Sequence, residues 1–235
     1  YLINSSRTVS GIKELLDIHN LDSESYTHSM LTLNDILDKK LIDNNLEKLY
    51  LEIELPLIEC LYDMEMTGFQ IDKKMLDSLS RQYDDELKLL IEEIYKIAGE
   101  KFNINSTKQL GVILFDKLNL PARKKTKTGY SVSAEVLEEL QHPIVSSLLR
   151  YRQITKLKST YIEGMKSVMN KTTGRVYTSF KQCLTTTGRL SSTEPNLQNI
   201  PIRTVEGREI RKMFIASAGC KLVCADYSQI ELRLL

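Results

Sequence analysis

No uninterrupted apolar run in the 235 residues approaches the length of a membrane span. The first twenty residues carry polar and charged side chains throughout, which excludes a signal-peptide reading of that stretch. Nothing in the sequence therefore points to a membrane partner. Cysteine is scarce. Cys60, Cys183, Cys220 and Cys224 are scattered, and the last two stand four apart with no histidine nearby, which argues against a zinc site. Reduced thiols in an intracellular protein are the default. Histidine is scarcer still, and His19 and His28 have no acidic cluster at ligand spacing. Net charge is almost missing too, at +1.

That small charge hides a division. Residues 1–100 hold 10 basic and 21 acidic side chains, and residues 101–235 hold 22 basic and 10 acidic ones. Such asymmetry suggests a polyanion partner for the second half. The other reading is that the basic half faces the acidic half. With 42% hydrophobic and 27% charged residues the chain reads as globular, one large or two modest domains in size.

Helical periodicity dominates up to about residue 170. Residues 8–19 read as a capped helix with Ile12, Leu15 and Leu16 on one face, and Tyr26 to Asn44 as a second. Leu46, Leu49, Ile53, Leu57, Leu61 and Met64 mark a third, with Pro56 bending it and Gly68 as its stop. Asp72 caps a long helix running to Gly99, apolar on one side and charged on the other. Ser106 and Gln109 have capping-box spacing at the next helix start, beside Asn103 and Asn105. A helix start of this kind either serves only the fold or offers amide hydrogens to a phosphate.

The segment from Pro121 to Ser133 is the most basic, and Lys124, Lys125 and Lys127 sit in it. It should be an exposed loop, either plain solvated surface or a phosphate grip that reads no sequence. Ser133 can cap the helix Ala134 to Leu140, with Ser131 nearby. A last long helix from Pro143 to about Met169 carries Arg150, Arg152, Lys156 and Lys158 as a cationic face. Its expected partner is the helix 73–98, in an antiparallel hairpin.

After Met169 the pattern turns short and extended. Arg175 to Phe180 alternates like a strand. Arg189, Asn196, Gln198, Asn199 and Arg203 then place five hydrogen-bonding side chains within fifteen residues. They form either a polar loop held by its own amides or a reader of the minor groove, where every Watson–Crick pair presents acceptors at similar places. Glu206 to Phe214 reads as a short helix. Leu222 to Ala225 reads as a buried strand, paired with Phe214 to Ser217 and ending on Asp226. A helix follows, capped by Ser228 with Glu231 completing a capping box. A divalent metal is one partner that would suit an acid at a strand tip.

The octapeptide Asp226-Tyr-Ser-Gln-Ile-Glu-Leu-Arg233 resembles motif A of the family A DNA polymerases, the DNA polymerase I type. The stretch Thr187 to Arg203 resembles that family's link between thumb and palm, and residues 47–170 its thumb. The resemblance implies a mainly α fold with a small antiparallel β part, a long helical thumb hairpin plus an incomplete palm. It divides the chain into residues 1–45, an exonuclease-like remnant expected to be inactive; 46–170, a DNA-gripping thumb; and 171–235, the first part of a palm.

The resemblance also assigns roles. Asp226 would be the catalytic metal-binding acid, aided by the Tyr227 carbonyl, and Ser228, Gln229, Ile230 and Glu231 would face the nucleotide, with Glu231 excluding ribonucleotides. Asn103, Asn105, Ser106, Lys124, Lys125, Lys127, Ser131, Ser133, Lys156, Arg189, Asn196, Gln198, Asn199 and Arg203 would line the duplex. The implied partners are a primer–template duplex and deoxynucleoside triphosphates, the implied cofactor two Mg²⁺ ions in the complete enzyme, and the implied location cytoplasmic, at the nucleoid. The family's fingers helix and second metal-binding acid have no match in the 235 residues, so the expectation is that these residues alone do not polymerise. The alternatives are a catalytically silent duplex-binding module and a helical scaffold that binds only protein.

Overall fold

A computed structural model describes residues 1–6, 9, 11–22, 25–122, 125–126 and 129–235, with 125–126 in their backbone alone. In chain order the helices are α1 (Ile12–Ile18), α2 (Tyr26–Asp43), α3 (Glu47–Leu49), α4 (Leu55–Thr67), α5 (Lys73–Ala98), α6 (Thr107–Gly111), α7 (Ala134–Glu138), α8 (Pro143–Leu157), α9 (Gly164–Val168), α10 (Val205–Arg211) and α11 (Ile230–Leu234). The strands are β1 (Phe69–Ile71), β2 (Lys125–Thr126), β3 (Gly129–Tyr130), β4 (Arg175–Val176), β5 (Ser179–Lys181), β6 (Ser191–Thr193) and β7 (Phe214–Ile215). The fold is mainly α with small antiparallel sheets, as the sequence implies. Among the described residues no helix is long and apolar enough to cross a membrane.

Two compact units emerge. The first comprises residues 1–71, 168–200 and 215–235, and the second residues 72–167 and 201–214. In the second, α5 packs along α8. Leu76, Leu79 and Tyr83 recur at helical spacing on α5, Ile144, Leu148, Tyr151 and Ile154 on α8, and all are buried. Asp72 caps α5 as expected, accepting from the amides of Lys74 (2.9 Å) and Met75 (3.1 Å). Burial, then the Glu206 charge, pushes the Tyr83 phenol up to about 12.

In the first unit α4 ends at Gly68, and β1 follows. β1 pairs antiparallel with β4, Phe69 opposite Val176, in a sheet ordered β4-β1-β7. The expected bend at Pro56 takes a specific form: a π-helical stretch, Tyr50–Glu54, immediately precedes α4, whose first turn holds the proline. Proline has no N–H for the carbonyl four residues back, and a wider turn absorbs the broken ladder. The helix expected from Pro143 to Met169 is likewise three consecutive pieces, with π-helical Lys158–Glu163 between α8 and α9.

Several expectations need correction. Leu222–Ala225 is neither strand nor buried; Leu222 is 58% and Val223 90% exposed. β7 lies beside β1 at the edge of its sheet, and residues 221–226 form no strand, so the expected pairing of Phe214 to Ser217 with them does not form. A strand needs a neighbour for its ladder, and apolar character alone supplies none. Ser228 does not cap α11: Gln229 occupies that position at φ 53°, with no side-chain cap bond. Ser106 caps α6 through the Gln109 amide, but the reciprocal bond of a capping box is absent. The Gln109 Oε1 accepts instead from the Asn103 amide (2.7 Å), because the Ser106 N–H already reaches the Asn103 carbonyl. The helix expected from residue 8 begins at Ile12 after Gly11, and Thr8 lies outside the described residues.

Candidate nucleic-acid interface

A shallow groove of about 480 Å³ in the second unit is lined by Thr107, Lys108, Arg152 and the run from Gly129 to Ser133. Two serines frame it from local necessity. Ser106 and Ser133 each turn their hydroxyl onto the first open amides of a helix, which fixes the backbone on either side. Asn103 and Asn105 sit beside Ser106, both exposed. The Asn103 Oδ1 accepts from the Asn105 amide (3.0 Å), and the Asn105 Oδ1 accepts from the Tyr151 hydroxyl (3.4 Å). Each carboxamide thus engages its oxygen internally, and neither NH₂ bonds within the described residues. The side chains present donors to solvent, the polarity that suits phosphate oxygen.

The cationic face expected on α8 separates into two sets. Arg150 donates from Nε to Glu86 (2.6 Å) and from Nη1 to Glu206; Lys158 pairs with Asp84 (3.2 Å) and Glu163 (3.4 Å). These cations are neutralised inside the unit, so the charge asymmetry is partly answered by basic side chains facing acidic ones. The Arg150 hydrogen bond holds the Glu206 carboxyl below the usual carboxylate range. Arg152, two residues on, points elsewhere, since i and i+2 do not share a helix face. It is half-buried, donates to the Val132 carbonyl (2.6 Å) and makes no ion pair among the described residues. Desolvation by burial lowers its pKa. Lys156 is exposed, again without an ion pair among the described residues. Lys108 is an addition that the sequence did not single out; Arg152 was expected in the cationic face, and its offset from Arg150 on the helix is what turns it to the groove. Lys124 and Lys127 lie outside the described residues, and Lys125 is described only by its backbone pairing with Tyr130.

The amide-rich run divides between the units. In the first, Thr178 and Ser192 are a buried hydroxyl pair, 2.7 Å apart; Thr178 also donates to the carbonyl of Pro195 (2.8 Å), and Ser192 accepts from the Leu197 amide (3.0 Å). Periodicity could not single out this pair, because its partners come from loop carbonyls. Gln198 clips the same loop, accepting from the Ser192 amide (3.1 Å) and donating to the Leu190 carbonyl (3.1 Å). The Asn196 Oδ1 accepts from the Gln198 amide (2.9 Å). Asn199 is exposed. Arg203 belongs to the second unit, exposed, with its carbonyl accepting from Arg208 (3.0 Å).

Residues 218–235 are exposed almost throughout. Asp226 is exposed and makes no hydrogen bond or ion pair among the described residues; Tyr227 beside it is 80% exposed. Ser228 and Gln229 form the turn before α11, which starts with Ile230, 39% exposed. Glu231 approaches Arg189 at 3.7 Å. Two residues assigned to different roles are thus brought together. Both side chains are at least three-quarters exposed, and such a pair is worth at most about 1 kcal/mol, so it does not commit Glu231. Mg²⁺ commonly takes one or two carboxylates plus phosphates and water, and an unengaged exposed carboxylate fits one place in that set. Among the described residues no three Asp, Glu, His or Cys side chains converge to hold a metal.

A family profile described as DNA polymerase family A matches residues 73–235. The chain is 53% identical over 206 residues to DNA polymerase I of Geobacillus stearothermophilus, covering 86% of this chain and 24% of that protein. It is 48% identical over 243 residues to DNA polymerase I of Bacillus subtilis, covering 100% of this chain and 28% of that one. The fold is similar to the POL domain of Pol1 from M. smegmatis, solved in complex with a DNA primer-template and dNTP. The TM-score is 0.84 at 37% identity, over 100% of this chain and 43% of that one. The chain spans about a quarter of the length of the curated relatives it matches.

Proposed function

The chain belongs to DNA polymerase family A, and from that premise we propose that its 235 residues are the duplex-gripping part of a DNA-directed DNA polymerase. In this reading residues 1–45 are an exonuclease-like remnant, 46–170 the thumb, and 171–235 the first part of the palm. The observation that carries the proposal is the groove between Ser106 and Ser133. Beside it, Asn103 and Asn105 leave their NH₂ groups without a partner among the described residues, and Arg152 makes no ion pair among them. A polyanion supplies what this surface lacks. The contacts are to backbone phosphates and carry no base information, as a template-directed enzyme requires. Arg189, Asn196, Asn199 and Arg203 would approach the duplex from the link between thumb and palm, while Gln198 holds the loop that carries its neighbours.

Asp226, with the Tyr227 carbonyl, would hold Mg²⁺. When bound, the ions would stabilise charge on the transferring phosphoryl group. The chain's own residues would position the duplex and present a carboxylate, and Glu231, five residues on from Asp226, would crowd a ribose 2′-hydroxyl. The second reading is a catalytically silent duplex-binding module. It is favoured by the donor set, because Asp226 stands alone as a carboxylate assigned to metal. Both readings predict that a fluorescent primer–template binds the 235-residue chain at low salt, and that Asp226→Asn leaves that affinity within about twofold. They part on nucleotide addition once the rest of a polymerase is supplied: with these residues replacing the matching part of Bacillus subtilis DNA polymerase I, primer extension that Asp226→Asn abolishes supports the enzyme reading and no extension the silent one, while the 235 residues alone are expected to extend no primer under either. No duplex affinity at low salt would remove both and leave a protein-binding scaffold.

A further inference from the structure

Arg150 on α8 stands between two acids. Its Nε donates to Glu86 on α5 at 2.6 Å, and its Nη1 donates to Glu206 on α10. Gln153, one turn along α8, accepts from the Arg150 Nη1 (3.3 Å) and donates to the other oxygen of Glu206 (3.4 Å). Both Glu206 oxygens are therefore engaged, and its side chain is only 18% exposed. This is a more sheltered and better-satisfied arrangement than a surface ion pair.

The segment that carries Glu206 is braced within itself. The Thr204 hydroxyl accepts from the Gly207 amide (3.0 Å). Arg208 donates to the Arg203 carbonyl (3.0 Å). A Cβ at Gly207 would fall 2.7 Å from the Pro201 carbonyl oxygen, so the helix start is folded tightly onto Pro201. Residues 201–208 are thus braced as one piece, with exposed Arg203 on it. The piece is tied to α5 and α8 by the polar knot at Glu206, and to its own unit by the buried side chains of Ile210 and Met213.

We infer that Arg150 is a positioning residue for duplex binding: by holding Glu206 it fixes the 201–208 segment, and with it the direction in which Arg203 is presented. The inference rests on the duplex-gripping reading above. Arg150 need not touch the nucleic acid.

The test titrates a fluorescent primer–template with the full 235-residue chain, comparing Arg150→Met, Glu206→Gln, Arg203→Ala and the double variant R150M/R203A. Arg203→Ala should weaken binding by about tenfold and lower the salt slope by roughly one. Arg150→Met should weaken it about three- to tenfold, and should add nothing further once Arg203 is alanine. Glu206→Gln is the sharpest arm. It removes a negative charge, so electrostatics alone would tighten binding, whereas loss of position weakens it. It also leaves the Arg150–Glu86 pair in place, which guards against a variant that fails to fold. The inference is overturned if Glu206→Gln binds more tightly, if the losses from Arg150→Met and Arg203→Ala multiply, or if Arg203→Ala has no effect. Failure of the wild-type chain to bind would instead sink the reading beneath it.

Discussion

Raising monovalent salt from about 50 to about 200 mM will weaken primer–template binding by this chain on the order of 10³-fold. The magnitude follows from which cations the fold leaves available. Arg150, Lys158 and Lys166 are each paired with acids of α5, so they release no counterions from DNA. Among the described residues of the candidate interface, Lys108, Arg152, Lys156 and Arg203 make no ion pair, and Arg189 has only its exposed contact with Glu231. If ~6 phosphates are neutralised, log K falls with a slope near −5 against log salt, and a fourfold rise in salt gives the stated loss. Counting the whole excess of the basic half would predict a far steeper slope. Fluorescence anisotropy at four salt concentrations separates these cases. A slope shallower than about −2 would mean that the groove holds DNA by something other than phosphate neutralisation.

Gly68→Ala will destabilise the first unit by about 3 kcal/mol or more, lowering its melting temperature by roughly 6–12 °C. Gly68 ends α4 at φ 61°, ψ −175°, a backbone region in which side chains are strained. Space is also lacking. A Cβ would lie 2.7 Å from the Tyr177 ring and 2.8 Å from the Val176 carbonyl oxygen, on the strand that pairs with β1. Gly99 is the control. It ends α5 at φ 75° with nothing within 4 Å of a Cβ, so Gly99→Ala should cost only about 1 kcal/mol. Calorimetry on both variants compares a crowded site in a glycine-only conformation with an open left-handed one. Equal losses would show that neither the crowding nor the extended ψ at Gly68 adds to the cost.

Local chemistry was the part of the fold that the sequence made legible. Asp72, Gly68, Ser106 and Ser133 act on atoms two to four residues away, and each was recognised at its place. The hairpin of α5 and α8 was also legible, because long stretches of 3.6-residue periodicity on both helices demand a shared core. What failed was non-local. Leu222–Ala225 has the composition of a strand, but composition does not name the neighbouring strand that would cover it. The Gln109 spacing was right for a capping box, yet its oxygen found the Asn103 amide, because the Ser106 N–H was already taken. The candidate interface shows the same division. Asn103, Asn105, Ser131 and Ser133 were marked by motif, whereas the separation of Arg150 from Arg152 depended on which elements pack against each side of α8.

That the groove bears on the duplex is the claim from which the rest descends, and amide hydrogen exchange of the 235-residue chain, with and without primer–template at low salt, tests it most directly. The account predicts slowed exchange at residues 103–109 and 130–134, and in the loop 189–199, with α1 and α2 unchanged. Protection confined to residues 1–45, or none on adding saturating duplex, would contradict it.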